Sequence, residues 1–95
     1  MALLGKDECG DFAPVGKSFG SVQVAGDFNG ASCIFEASNN KNITSPPQLY
    51  KDFEGDFNFI KPSLKSIPHI SLLLRPKIIG GDENTKLIIT IYMVP

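Results

Sequence analysis

Tryptophan is absent from these 95 residues, histidine occurs once and cysteine twice. That scarcity excludes most catalytic and metal chemistry. His69, Cys9 and Cys33 match no zinc spacing, and no metal or other cofactor is expected. A cysteine nucleophile would need the fold to bring Cys33 to His69, and Cys33 sits in an apolar strand pattern, where thiols are inert. Cys9 lies in a polar stretch, so two reduced thiols are a better reading than a disulfide. No apolar run reaches the roughly 18 residues that span a bilayer. The opening Met1-Ala2-Leu3-Leu4-Gly5-Lys6 has no apolar core of a secretory signal. No membrane association is expected, and synthesis in a reducing cytosol is. The net charge is −1, which lacks the basic excess that nucleic acid demands.

Helical periodicity is missing too. Nine glycines and seven prolines interrupt almost every window long enough to show apolar residues three and four apart. Short β-branched and aromatic runs alternate instead, with turn residues between them. Residues 1–11, with Gly5, Gly10 and the acids Asp7, Glu8 and Asp11, read as a flexible N-terminal arm. Residues 12–95 read as one domain. Phe12 to Val15 is an edge strand tolerating Pro14. Ser18 to Ala25 and Ala31 to Ala37 flank the turn Gly26-Asp27-Phe28-Asn29-Gly30 and are expected to form a hairpin. Val22 and Val24 share one face; Cys33, Phe35 and Ala37 share another. Residues 38–47 form a polar loop. Leu49 to Phe53 and Phe57 to Lys61 are further strands, with Phe53, Phe57 and Phe59 as core.

Ile67 to Ile79 reads as a long strand, followed by the turn Gly80-Gly81-Asp82-Glu83-Asn84, where glycine supplies positive φ. Lys86 to Val94 is the final strand. Both are apolar on two faces, so they sit centrally or are covered by another subunit. The expected fold is an all-β antiparallel sandwich, jelly-roll-like, of about six to eight short strands, with a partly open barrel as the other solution. The acids Asp52, Glu54 and Asp56 lack a calcium-loop pattern and read as a solvated turn.

Two stretches, FGSVQVAGDFNGASCIFEASNN at 19–40 and HISLLLRPKIIGGDENTKLIITIYMV at 69–94, resemble a family of short structural proteins of tailed phages and prophages. The match is residue by residue at Val22, Val24, Gly26, Phe28, Gly30 and Ala31. It continues at Ser38, Asn39, Arg75, Pro76, Gly80, Gly81, Asp82, Thr85 and Leu87. The chain departs from the family at Ala37, where a glycine is usual, and in lacking the tryptophan that follows the Ser-Asn-Asp-Gly loop.

The resemblance implies a β-sandwich without enzymatic activity and a place in the virion. Head decoration, or cementing of the capsid, is the most specific form, with neck, tail or fibre association as the alternative. The implied partners are the major capsid protein or other virion proteins and further copies of the chain, in a homo-oligomer such as a trimer. The partner-binding candidates are Phe12, Tyr50, Arg75, Tyr92 and Met93. A rival reading is a carbohydrate-binding sandwich, with Phe28 and Tyr50 as loop aromatics beside Asn39, Asn40 and Asn42.

Overall fold

The computed structural model describes residues 2–15, 19–39, 48–52, 55–67 and 73–94. Its strands are β1 (Ala2–Leu4), β2 (Ala13–Pro14), β3 (Phe19–Asp27), β4 (Ser32–Ser38), β5 (Gln48–Leu49), β6 (Lys51–Asp52), β7 (Gly55–Asp56), β8 (Asn58–Phe59), β9 (Ser63–Ser66), β10 (Leu73–Ile79) and β11 (Lys86–Val94). Five of these are two residues long, which is why the count exceeds the six to eight expected. No helix occurs among the described residues.

Two antiparallel sheets pack face to face, as the sequence pattern predicts. The first runs β1-β11-β3-β9; the second runs β2-β10-β4-β5, with β8 also on β4. The alternation in the sequence aims the core. Val22, Val24, Leu87 and Ile89 point inward from the first sheet, and Cys33, Phe35, Leu74 and Ile78 from the second. Phe57 lies at the centre of an aromatic cluster, with edge-on contacts to Phe35, Tyr50 and Phe59 at 5.5, 5.3 and 5.4 Å.

The expected hairpin between residues 18–25 and 31–37 does not form. β3 belongs to the first sheet and β4 to the second, so the turn between them is an arch that crosses the core. The segment from β10 through 80–85 to β11 is a second arch. Its strands pair with those of the first: β11 with β3 over nine residues and β10 with β4 over seven. Crossing lets both apolar faces close on each other, whereas a hairpin would leave the inner faces of Val22 and Phe35 in one layer. The long strand expected from residue 67 begins at Leu73; residues 68–72 lie outside the described residues.

The N-terminal segment is not a free arm. Ala2, Leu3 and Leu4 pair with Ile89, Ile88 and Leu87, and Leu4 is buried. The chain then turns and follows β10: Ile78 N–H donates to the Glu8 carbonyl at 2.8 Å, and Gly10 N–H to the Pro76 carbonyl at 2.9 Å. Residues 2–14 thus make a third arch beside the second. The acids that made this stretch look like a solvated arm act as turn acceptors. Glu8 Oε1 accepts from Gly5 N–H and Asp7 Oδ1 from Gly80 N–H, both at 2.8 Å. These bonds also show how β10 tolerates Pro76. Its main-chain polar groups face Gly10, so the missing amide takes no donor from the ladder to β4.

Candidate functional site

The three arch turns meet at one end of the sandwich. Asn29 Nδ2 donates to Asp82 Oδ1 at 3.3 Å, and Thr85 Oγ1 donates to the Phe28 carbonyl at 3.1 Å. Asn29, Gly26, Gly30, Gly80 and Gly81 all have positive φ. Phe28, Ala31 and Thr85 are buried between the turns. Most of the motif residues that carry the phage-protein resemblance lie here, and each has a conformational or packing duty. The motif is therefore a scaffold signature, and surface that could act on another molecule must be sought elsewhere.

The five candidate residues do not form one site. Tyr50 is 5% exposed and packs edge-on against Phe57, so it is a core residue and offers no surface ring. Phe28 is buried as well. The carbohydrate reading thus loses both of its aromatic platforms; Asn40 and Asn42 lie outside the described residues. Nothing in the sequence around Tyr50 announced its burial, because the strands flanking it are only two residues long and show no alternation.

Phe12 and Arg75 do come together. The Arg75 guanidinium sits 4.6 Å from the Phe12 ring centroid and pairs with Glu36 at 2.7 Å. This stack lies on the outer face of the second sheet, where Glu36 and Arg75 are direct cross-strand partners. It is a partly exposed ion pair held by its own neighbours, and its contribution to stability is about 1 kcal/mol or less.

Tyr92 and Met93 alternate on β11. Met93 turns inward and packs on the core; Tyr92 is exposed. Tyr92 belongs to a larger feature that single residues in the sequence did not signal: the outer face of the first sheet. Cross-strand register places Leu3, Ile88 and Ala25 in one row, Thr90, Gln23 and Leu64 in the next, and Tyr92, Ser21 and Ser66 in a third, with Val94 beyond. Leu3, Leu64 and Tyr92 are 64%, 67% and 66% exposed. Among the described residues the charged members of this face are Lys86 and Asp27, opposite each other at the turn end. The opposite sheet presents Glu36, Arg75 and Lys77 outward.

The lateral sides of the sandwich differ. On one side Lys65 points inward from β9, donates to the Asn58 carbonyl at 2.9 Å and lies 5.0 Å from the Phe59 ring centroid. It closes the gap between the sheets. On the other side an open cleft of about 360 Å³ is lined by Ala2, Asp11, Phe12, Pro14, Pro76 and Ile91, among others.

Reactive groups are sparse. Cys9 is exposed and Cys33 buried, and both are free. Burial pushes the Cys33 thiol from an ordinary 9.0 up to about 12, offset in part by a backbone hydrogen bond at Lys77. It stays protonated at neutral pH, the opposite of an activated nucleophile. His69 and Glu54 lie outside the described residues. Among the described residues no three His, Cys, Asp or Glu side chains converge as a metal site. Comparison with protein-family models, with curated proteins and with solved structures finds no match.

Proposed function

We propose that this chain is a non-enzymatic structural protein of a tailed-phage particle, and most specifically a decoration protein that binds the assembled head shell. The observation that carries the reading is the outer face of the first sheet. Four strands about 4.8 Å apart, the longest running nine residues at about 3.4 Å each, give a face of roughly 400 Å². Leu3, Leu64, Ile88, Tyr92 and Val94 are exposed on that face among the polar Ser21, Gln23, Ser66 and Thr90, and large apolar side chains gathered on one exposed face mark an interaction site. A broad, largely uncharged sheet face suits docking onto another protein surface better than it suits holding a small molecule, which needs concavity. The resemblance of residues 19–40 and 69–94 to phage structural proteins supports a place in the virion, and a broad docking face fits the head shell best among its surfaces.

The test is co-sedimentation with shells of the phage or prophage that encodes the chain. Wild-type protein is expected to saturate the shells at a fixed ratio per capsomer. Leu64→Glu places a charge on the exposed β9 side of the face and is expected to abolish binding while leaving the melting temperature unchanged. Equal binding by Leu64→Glu removes this face as the docking surface. No binding by the wild type removes the decoration role, and labelling of intact particles then locates the chain at neck, tail or fibre, or shows that it is not a virion component.

A further inference from the structure

We infer that the Thr90–Val94 half of β11 is a dimerisation edge, which pairs antiparallel with the same segment of a second copy about a twofold axis at Tyr92. β11 pairs with β3 along its whole length, but β1 covers it only from Leu87 to Ile89. Beyond Ala2, no described strand lies on that side.

Hydrogen-bond parity identifies the groups that have no partner strand among the described residues. Gly20 accepts from Ile67 N–H on the β9 side of β3. The unbroken registers of β3 with β9 and β11 then turn Ser21 and Gln23 toward β11. Thr90, Tyr92 and Val94 bond to β3, and Ile91 and Met93 direct their N–H and C=O groups away from it, on the side where Ile91 lines the cleft.

An unpaired edge is normally blunted by shortness, proline or an inward charge. The other outer strands each have such a device. β9 turns Lys65 inward, β2 carries Pro14, β1 is three residues long, and β5 and β8 are two each. Thr-Ile-Tyr-Met-Val has neither charge nor proline, and its other side is held in a nine-residue ladder with β3.

A second copy fits what is left open. The segment is its own complement in length. With Tyr92 opposite Tyr92, Ile91 faces Met93 of the partner on the inner side, where both add apolar contact beside the cleft. No like charges meet across the axis. The first sheets of two copies then join into one eight-stranded layer, and their outer faces become continuous. This is an isologous contact. It requires nothing of the virion reading, because it needs only the purified chain.

The experiment is sedimentation equilibrium over a concentration series on the wild type, Tyr92→Lys, Tyr92→Glu, their equimolar mixture and Met93→Pro. Wild type is expected to dimerise with concentration. Each charged variant sets like charges directly opposite and weakens association about fivefold; the mixture sets unlike charges opposite and recovers it. Met93→Pro removes an outward amide, not one bonded to β3, and abolishes association while circular dichroism remains that of a β protein. A wild type that stays monomeric to millimolar concentration overturns the inference. So does a dimer that is indifferent to both Tyr92→Lys and Met93→Pro.

Discussion

The hydroxyl of Thr85 holds the second arch to the first: it donates to the Phe28 carbonyl at 3.1 Å and accepts from its own turn's Asp82 N–H at 2.9 Å. Thr85 is the buried polar residue of the described core. Thr85→Val keeps the shape and loses both bonds, leaving the Asp82 amide without its acceptor. The expected cost is about 2–3 kcal/mol, near half the stability of a domain this size. Thr85→Ser keeps the hydroxyl and is expected to cost under about 1.5 kcal/mol. Urea unfolding of the two variants checks this, and equal losses would show that the hydroxyl contributes little.

Gly26 and Gly30 both have positive φ, at 105° and 87°, yet substitution should separate them. A Cβ on Gly26 runs into the Lys86 carbonyl oxygen, which is backbone and cannot yield, whereas one on Gly30 meets nothing within 4 Å. Gly30→Ala is expected to cost about 1–2 kcal/mol, the left-handed strain alone. Gly26→Ala is expected to cost at least about 3 kcal/mol, since strain and collision add. Paired thermal melts read the difference.

How much of this was legible in the sequence follows from what each residue had to announce. Alternation gave the inward faces: Val22 with Val24, Cys33 with Phe35, Leu87 with Ile89 all point to the core. It could not give pairing. Phe28-Asn29-Gly30 has the turn chemistry of a hairpin, and an arch uses the same left-handed residues. The choice is made by the burial of Phe28 and Ala31 between the turns, a tertiary fact. The N-terminal strand was hidden for a related reason. Asp7 and Glu8 look solvated until Gly80 and Gly5 supply the amides they accept from. The β11 part of the first sheet's outer face was legible, since Lys86 to Val94 is apolar on both sides; its extension through Leu3 and Leu64 was not, because those residues come from strands far apart in the chain.

Tyr50 and Tyr92 show the consequence for mutagenesis. Tyr50→Ala removes a ring from the aromatic cluster and is expected to cost about 3–5 kcal/mol, enough to unfold much of the population at 37 °C. Tyr92→Ala, on an exposed face, is expected to change stability by no more than about 0.5 kcal/mol. Chemical denaturation of both distinguishes the core tyrosine from the surface one. A large loss for Tyr92→Ala would mean that its ring supports the fold.

Lys65 combines two duties. Its ammonium lies over Phe59 and near Phe57, and its inward direction spoils the β9 edge for pairing. Lys65→Met keeps an apolar stem and removes the charge. Stability is expected to fall by about 0.5–1 kcal/mol, with a rise in concentration-dependent light scattering as the edge opens. Scattering unchanged from wild type would assign the edge protection to the shortness of β9 alone.

Cys33 gives the fold an alkaline limit. Its thiol titrates near 12 in the folded chain against 9.0 ordinarily. Between those values the unfolded state has lost the proton that the folded state keeps, so the unfolded state binds fewer protons and stability falls as pH rises. The slope is about 1.4 kcal/mol per pH unit at most. It begins near pH 9 and ends near the folded value. Below pH 9 both states hold the proton and the group contributes no pH dependence. Cys33→Ala removes the titration and is expected to flatten the curve of melting temperature against pH above 9, relative to wild type, while lowering it uniformly for the lost sulfur. Every other side chain is the same in both proteins, so the difference between the two curves isolates the thiol. Parallel curves would mean that water reaches Cys33 in the folded state.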